Sequence, residues 1–321
     1  MSSSSCVQGS RSIDSLEMVA RKGLSSSSWL EHWLPEAAMP YAKLARLDKP
    51  IGTWLIVWPC FWSIAIATRK GEIPDLKMLA LFGCGSVILR GLGCTVNDLF
   101  DRDIDKKVER TKKRPLASGA LTPLQGLYFL VFQVLLWFGF LLQLNNYSII
   151  LGASFLVPVF TYPLMKRVTY WPQAYLGLAI NCGVALGWSA IKEDLDSAII
   201  LPLYTAAICW TLVYDTIYAH QDKEDDIKVG VKSTALLFGD MTKYCISAFG
   251  VACIGSLALS GYNAYLAWSY YPFLIASAAQ LAWQITAVNL SSRSDCNKMF
   301  VSNKWFGALI FGGILSGVVL P

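Results

Sequence analysis

Two acidic runs interrupt an otherwise apolar chain of 321 residues. The first is Asn97-Asp98-Leu99-Phe100-Asp101-Arg102-Asp103-Ile104-Asp105, and the second runs from Tyr214-Asp215 through His220 to Asp222-Lys223-Glu224-Asp225-Asp226. Each holds a D-x-x-x-D pair, Asp101 with Asp105 and Asp222 with Asp226. If the chain is helical there, i and i+4 fall on one face. Carboxylates fixed side by side repel unless a cation joins them. Mg²⁺ takes only one or two protein carboxylates and completes its shell with water and phosphate oxygens. Two such pairs therefore point to a metal-bridged diphosphate.

Basic segments follow both runs: Lys106-Lys107-Val108-Glu109-Arg110-Thr111-Lys112-Lys113-Arg114, and Lys228-Val229-Gly230-Val231-Lys232. A departing diphosphate gains negative charge, which a neighbouring Arg or Lys stabilises. Most of the Lys106–Arg114 cluster can equally set topology and touch anionic lipid. Lys166-Arg167, after Tyr162-Pro163, is a further basic pair with the same two readings. The third component is aromatic. Ionising an allylic diphosphate leaves a carbocation, which needs a dry wall and ring faces that attract positive charge. Tyr162, Tyr170, Tyr214 and Tyr218 lie at the right depth to supply them, although most of the 41 Trp, Tyr and Phe residues belong to packing and interfacial belts.

These groups need elements to carry them, and the composition says which. The chain is 55% hydrophobic and 15% charged, far from the roughly 25% charge of a soluble domain. Apolar stretches long enough to cross a bilayer are expected near 51–68, 76–97, 121–143, 147–165, 171–191, 198–217, 235–257, 262–289 and 303–321. The fold class is thus all-α, a polytopic membrane protein of about nine helices. Asp240 and Lys243 sit in the first turns of the seventh span, which therefore begins as an interfacial helix. With nine spans, 21 of the 27 Lys and Arg fall in the N-terminal tail or in and beside the loops after spans two, four, six and eight. That side faces the cytoplasm or its organellar equivalent. Both acidic runs lie on it. Solvated acids neutralised by neighbouring lysines are the alternative, but two equivalent runs at equal depth argue against it, because acids near membrane depth are costly.

Residues 1–40 are Ser-rich and read as a mobile tail ahead of a membrane domain at 41–321; their acids, Asp14, Glu17, Glu31 and Glu36, argue against an organellar import signal. Nine cysteines form no C-x-x-C pair and read as small buried hydrophobes. No G-x-G-x-x-G occurs, and Gly83-Cys84-Gly85 and Gly91-Leu92-Gly93 are expected to permit close helix packing.

The motifs together resemble the UbiA superfamily of intramembrane prenyltransferases. The resemblance rests on Asn97-Asp98-x-x-Asp101-x-x-x-Asp105 with Arg110-Thr111-x-x-Arg114-Pro115, and on Tyr214-Asp215-Thr216-x-Tyr218 with Asp222, Asp226 and Lys232-Ser233-Thr234. Arg46-Leu47-Asp48-Lys49-Pro50 and Tyr162-Pro163-x-x-Lys166-Arg167-x-x-Tyr170-x-x-Gln173 are similar to the 4-hydroxybenzoate branch, and the likeness covers residues 41–321. It implies a nine-helix bundle around a central cavity. It also implies Mg²⁺-dependent prenyl transfer to the ring carbon beside the phenol hydroxyl. On that footing two Mg²⁺ ions would be held by Asn97, Asp98, Asp101, Asp105, Asp222 and Asp226. Arg114, Lys166, Arg167, Lys228 and Lys232 would neutralise the leaving group, and Tyr162 and Tyr218 would line the substrate. Arg46 would meet the acceptor carboxylate or a phosphate; Asp215 is a proton acceptor or metal orienter, and His220 reads as a bystander.

Within the branch the N-terminus and the stretch from Tyr41 to Thr68 look most like plant geranyltransferases of shikonin biosynthesis, implying geranyl diphosphate and the endoplasmic reticulum membrane. A longer polyprenyl donor in the mitochondrial inner membrane, for ubiquinone, is the alternative. Lipid is the expected surroundings, and no nucleic-acid partner is expected. A transporter or divalent-cation channel is the rival class, but it would scatter polar residues along several spans, whereas here the acids gather at one end.

Overall fold

The structure, a computed structural model, describes residues 28–320. Of the Ser-rich tail expected over 1–40, residues 1–27 lie outside the described residues. Residues 28–33 and 39–44 are short helices whose Leu30 and Leu44 are buried. The remaining described chain is helical, with no strand among the described residues.

The principal helices are α1 Ile51–Ala67, α2 Leu76–Asp105, α3 Pro123–Leu141, α4 Asn146–Ser154, α5 Leu156–Val168, α6 Pro172–Ile180, α7 Gly183–Lys192, α8 Ser197–Ala219, α9 Lys223–Val229, α10 Thr234–Phe238, α11 Thr242–Asn263, α12 Tyr270–Ala287 and α13 Arg293–Val319. Side chains cap several starts. Asp75 accepts from the Lys77 and Met78 amides at α2, Thr122 and Gln125 form a reciprocal capping box at α3, and Asn145 accepts from Ser148 at α4.

Taking α4–α5, α6–α7 and α10–α11 as continuous segments, seven of these elements are long and apolar enough to cross a membrane. Of the nine expected spans, α1 falls short at 17 residues, and α12, which carries Gln280 and Gln284, is not among the seven. Two expected spans are broken helices. The chain bends at Phe155, and again after Ile180, where the Asn181 Nδ2 donates to the carbonyls of Gly177 (2.8 Å) and Ala207 (3.2 Å) and to Thr211 Oγ1 (2.9 Å). Side-chain partners of this kind make such a break tolerable inside a bilayer. The seventh expected span does begin apart, as α10 and a 3₁₀ turn over Gly239–Met241 ahead of α11.

The helices close a ring: α1 packs on α2, α2 on α5, α5 on α6, α6 on α8, α8 on α11, α11 on α12, α12 on α13, and α13 on α1. Small residues permit the closest approaches. A Cβ at Gly187 of α7 would stand 2.2 Å from Ser63 Oγ and 2.9 Å from the Cys60 carbonyl of α1. Of the glycines expected to pack, Gly85 lies against Phe140 and Gly91 against Gln133, whereas Gly83 has open space. The eight cysteines among the described residues are all free, and six are buried. Trp62 of α1, Trp210 and Tyr214 of α8 and Phe306 of α13 are almost wholly buried and pack ring against ring, joining the three helices.

Candidate active site

A cavity of about 700 Å³ is lined from α1, α2, α5, α6, α8, α13 and the loops after α2 and α8, and of the aromatic cluster only Tyr214 reaches it. Helix α2 runs unbroken to Asp105, so the first acidic run is helical throughout and Asp98, Asp101 and Asp105 share one side, three and four residues apart. The second run continues α8 past the apolar core; the Asp226 amide donates to the Asp222 carbonyl at 2.8 Å, one helical turn that brings both carboxylates to the cavity. Asn97, Asp98, Asp105, Asp215, Asp222 and Asp226 all line it.

Every lining carboxylate of the first run is met by a guanidinium. Arg46 Nη2 donates to both Asp98 oxygens (3.2 and 3.3 Å), and Arg114 Nη1 bridges Asp98 (3.0 Å) and Asp105 (2.7 Å). Arg46 has φ +58, a left-handed backbone unusual for a side chain of its size, and this conformation accompanies a guanidinium aimed into the cavity. Across the cavity Arg110 holds Asp222 bidentately: Nε donates at 2.8 Å to Oδ1 and Nη2 at 2.5 Å to Oδ2. Arg110 Nη1 also donates to the Tyr218 hydroxyl at 2.7 Å, and its guanidinium lies 5.0 Å from that ring's centre. Burial would lower the Arg110 pKa, but the Tyr218 oxygen and Asp222 outweigh it and the guanidinium stays charged. Arg114 is likewise raised against burial by Asp98 and Asp105.

Asp101 stands apart. Its carboxylate has no solvent exposure, pairs with Lys166 Nζ, and receives Arg167 Nη2 at 3.4 Å, so it lies behind Lys166 rather than on the lining. Arg167 is nearly half exposed and donates also to the Phe100 carbonyl at 2.7 Å. Lys166 itself lines the cavity, as do Lys232, Tyr162, Tyr214 and Tyr218. Lys232 Nζ donates to the Val168 carbonyl at 3.1 Å and lies 5.4 Å from the ring centre of Tyr170, which is outside the lining. Burial and then the Asp222 carboxylate push Asp226 up to about 7.

Two expectations need correction. Lys228 is 72% exposed and pairs with Asp225 at 3.4 Å, because the short helix α9 turns it outward; it does not reach the cavity. Arg167 reaches the buried Asp101 and the Phe100 carbonyl but does not line the cavity. His220 shares a hydrogen bond with Thr242 Oγ1 at 3.2 Å, outside the lining, and burial and Lys223 push its pKa down to about 4. Two other cations were not singled out from the sequence. Arg110 stands in the Arg110-Thr111-x-x-Arg114-Pro115 motif, but within a lysine-rich cluster its charge alone gave it no role. Arg90, within α2, lines the cavity with a buried Nε that has no hydrogen-bond partner among the described residues. An arginine inside an apolar span is itself a signal of function.

The donor set is all oxygen, two acidic runs converge on one space, and that space is lined by eight Lys and Arg residues. No three acidic, Cys or His side chains among the described residues already stand grouped as a metal cluster, since the carboxylates are held by arginine and lysine instead. Such a set fits a hard divalent cation once an anion competes for the guanidinium groups.

Comparison with known proteins agrees with this arrangement. Residues 56–310 match the model of the UbiA prenyltransferase family. The chain is 61% identical over 98% of its length, and 78% of the relative's, to the mitochondrial 4-hydroxybenzoate polyprenyltransferase of Arabidopsis thaliana. It is 56% identical over 92% of its length, and 95% of the relative's, to 4-hydroxybenzoate geranyltransferase 2 of Lithospermum erythrorhizon. A UbiA homolog from Archaeoglobus fulgidus, solved bound to GPP and Mg²⁺, superposes with a TM-score of 0.65 at 17% identity, covering 86% of this chain and 99% of that one.

Proposed function

The chain belongs to the UbiA prenyltransferase family, and from that premise we propose that it moves a geranyl group from geranyl diphosphate to the carbon of 4-hydroxybenzoate beside the hydroxyl, releasing diphosphate and a proton. It is an integral membrane transferase. The observation that carries the reading is the convergence of both acidic runs and eight Lys and Arg residues on one cavity that Tyr162, Tyr214 and Tyr218 also line.

Asn97, Asp98, Asp105, Asp222 and Asp226, with Asp101 behind Lys166, are the residues that would hold Mg²⁺, taken as two ions. When bound, Mg²⁺ neutralises the diphosphate oxygens and eases C–O cleavage. Arg46, Arg110, Arg114 and Lys166 then exchange carboxylate partners for diphosphate oxygens, which frees the carboxylates as ligands, and Lys232 adds a further positive charge. This exchange keeps every buried charge compensated before and after the donor enters. Tyr162, Tyr214 and Tyr218 present rings where positive charge develops on the allyl group. Arg90, with its unpartnered Nε, meets the acceptor carboxylate, a role Arg46 cannot fill once it has turned from Asp98 to the diphosphate. Asp215 accepts the ring proton after attack. Two carbon fragments are joined, the C–O bond of the donor and one ring C–H bond break, and no redox partner is needed.

The relative named as a mitochondrial polyprenyltransferase, at 61% identity, favours a second reading in which the donor is a longer polyprenyl diphosphate and the membrane is mitochondrial. The geranyl reading places the protein in the endoplasmic reticulum. Microsomes containing the full chain, supplied with 4-hydroxybenzoate and separately with geranyl, farnesyl and longer diphosphates, distinguish the two by product mass. The geranyl reading expects 3-geranyl-4-hydroxybenzoate; use of long donors alone refutes it.

A further inference from the structure

Gly52, in the first turn of α1, and Arg90, midway along α2, both line the cavity and meet on its wall. A Cβ at Gly52 would stand 2.3 Å from Arg90 Nε, 2.4 Å from Cζ and 2.5 Å from Nη2. The guanidinium thus lies on the bare Cα of Gly52, in the space that any other residue's side chain would take. All three of the nearest atoms belong to that guanidinium, and none is backbone.

Arg46, Arg110 and Arg114 are each paired with a carboxylate of the acidic runs. Arg90 differs: its Nε is buried with no hydrogen-bond partner among the described residues, Asp215 of the same cavity included. A charge held without a partner at membrane depth is costly, so an anion is expected to complete it when substrate is bound. Depth says which anion. Arg90 precedes Asp98 by a little over two turns of α2, about 12 Å along the helix and away from the acidic end. The diphosphate belongs with the carboxylates at that end. The other anion the reaction brings is the acceptor's carboxylate, which stands across the ring from the hydroxyl.

We infer that Gly52 is a positioning residue for the acceptor. By leaving room for the Arg90 guanidinium against α1, it sets the point where a carboxylate is received, and so selects phenols carrying an anionic group over neutral ones. The inference rests on the prenyl-transfer reading and on the part Arg90 has in it. Gly52→Ala pushes the guanidinium off its seat. Because the atoms that must yield are the end of a flexible side chain, the fold tolerates the change, and the acidic end of the cavity keeps its geometry.

The test uses the full chain in liposomes with geranyl diphosphate and Mg²⁺. It measures kcat/KM for 4-hydroxybenzoate and for the neutral 4-hydroxybenzamide in wild type, Gly52→Ala, Arg90→Ala and the double variant. Gly52→Ala is expected to lower the ratio of 4-hydroxybenzoate to 4-hydroxybenzamide by about tenfold, the scale of a lost hydrogen bond between charged groups. KM for geranyl diphosphate should stay within about twofold of wild type, because the methyl group disturbs Arg90 and not the paired cations. The double variant should match Arg90→Ala, since it has no guanidinium to displace. An unchanged ratio in an active Gly52→Ala, an equal rise in KM for geranyl diphosphate, or a double variant with a lower ratio than Arg90→Ala overturns the proposal. Should Gly52→Ala fail to fold, the double variant, which has room for the methyl group, decides by the same comparison with Arg90→Ala. If wild type prenylates neither acceptor from any allylic diphosphate, the prenyl-transfer reading has failed, a different result from an unchanged ratio in active enzymes.

Discussion

Replacing Arg110 by alanine separates a cation that serves the reaction from one that only braces the fold. In the structure its guanidinium makes three donor contacts to Asp222, at 2.5 to 3.0 Å, and one at 2.7 Å to Tyr218, with side-chain exposures of 28% for Arg110 and 12% for Asp222. Removing one partner of a buried pair costs roughly 3–5 kcal/mol. The partial exposure of Arg110 puts this case near the low end, at about 3 kcal/mol. A cation aimed at charge that develops on a leaving group is worth about as much in the transition state. Three kcal/mol corresponds to roughly a hundredfold in kcat/KM. The two roles respond differently to added Mg²⁺, which supplies the positive charge that Asp222 has lost. Stability, read as the melting temperature of the purified protein in detergent, should therefore recover as Mg²⁺ is raised, while kcat/KM should not. Arg110→Lys should recover part of the rate, because an ammonium restores the charge without the fork. Arg110→Ala with kcat/KM within about threefold of wild type, alongside an inactive Asp222→Ala, would refute the reasoning by making the guanidinium a structural clip.

Lys166→Ala should lower turnover by more than about tenfold, since it uncovers the fully buried Asp101, whereas Lys228→Ala, an exposed pair with Asp225, should stay within about twofold; initial rates in one membrane preparation compare them. His220→Gln should leave turnover within about twofold, because the ring faces Thr242 rather than the cavity; a loss of catalysis at normal expression would restore it as a base. Gly187→Ala should lower the melting temperature through an overpacking cost of about 1–3 kcal/mol, because one of the three atoms it meets is the Cys60 backbone carbonyl, which cannot turn aside.

Much of the site was legible because its residues come in local runs. The i, i+4 spacing of Asp222 and Asp226 puts both carboxylates on one turn, and the basic side of the membrane puts the two runs at the same end of the bundle. Pairings across the cavity were not legible. Arg110 meets Asp222 from 112 positions away, and the charge pattern of Lys106–Arg114 does not show that Arg110 crosses to the second acidic run while Arg114 holds the first. Lys228 and Lys232 look alike in sequence, but the α9 turn ending at Gly230, with φ +72, sends one outward and the other to the cavity wall. The broken helix at Asn181 was also hidden. Its hydropathy is that of one span, and the break is stabilised by acceptors on α8 that only tertiary contact supplies. Arg90 could have been found, since a lone arginine in an apolar run has few structural excuses.

The central claim is that the two acidic runs act together on one diphosphate. The most direct measurement follows prenylated product, with ²⁵Mg²⁺ or Mn²⁺ binding alongside, using the purified full chain in liposomes, wild type against Asp98→Asn and Asp222→Asn. The account predicts 3-geranyl-4-hydroxybenzoate from wild type only when divalent metal is present, and loss of both metal binding and product in either variant, although the two residues lie on different helices. Either variant turning over normally, or wild-type liposomes carrying Mg²⁺ across the bilayer without forming product, would contradict it.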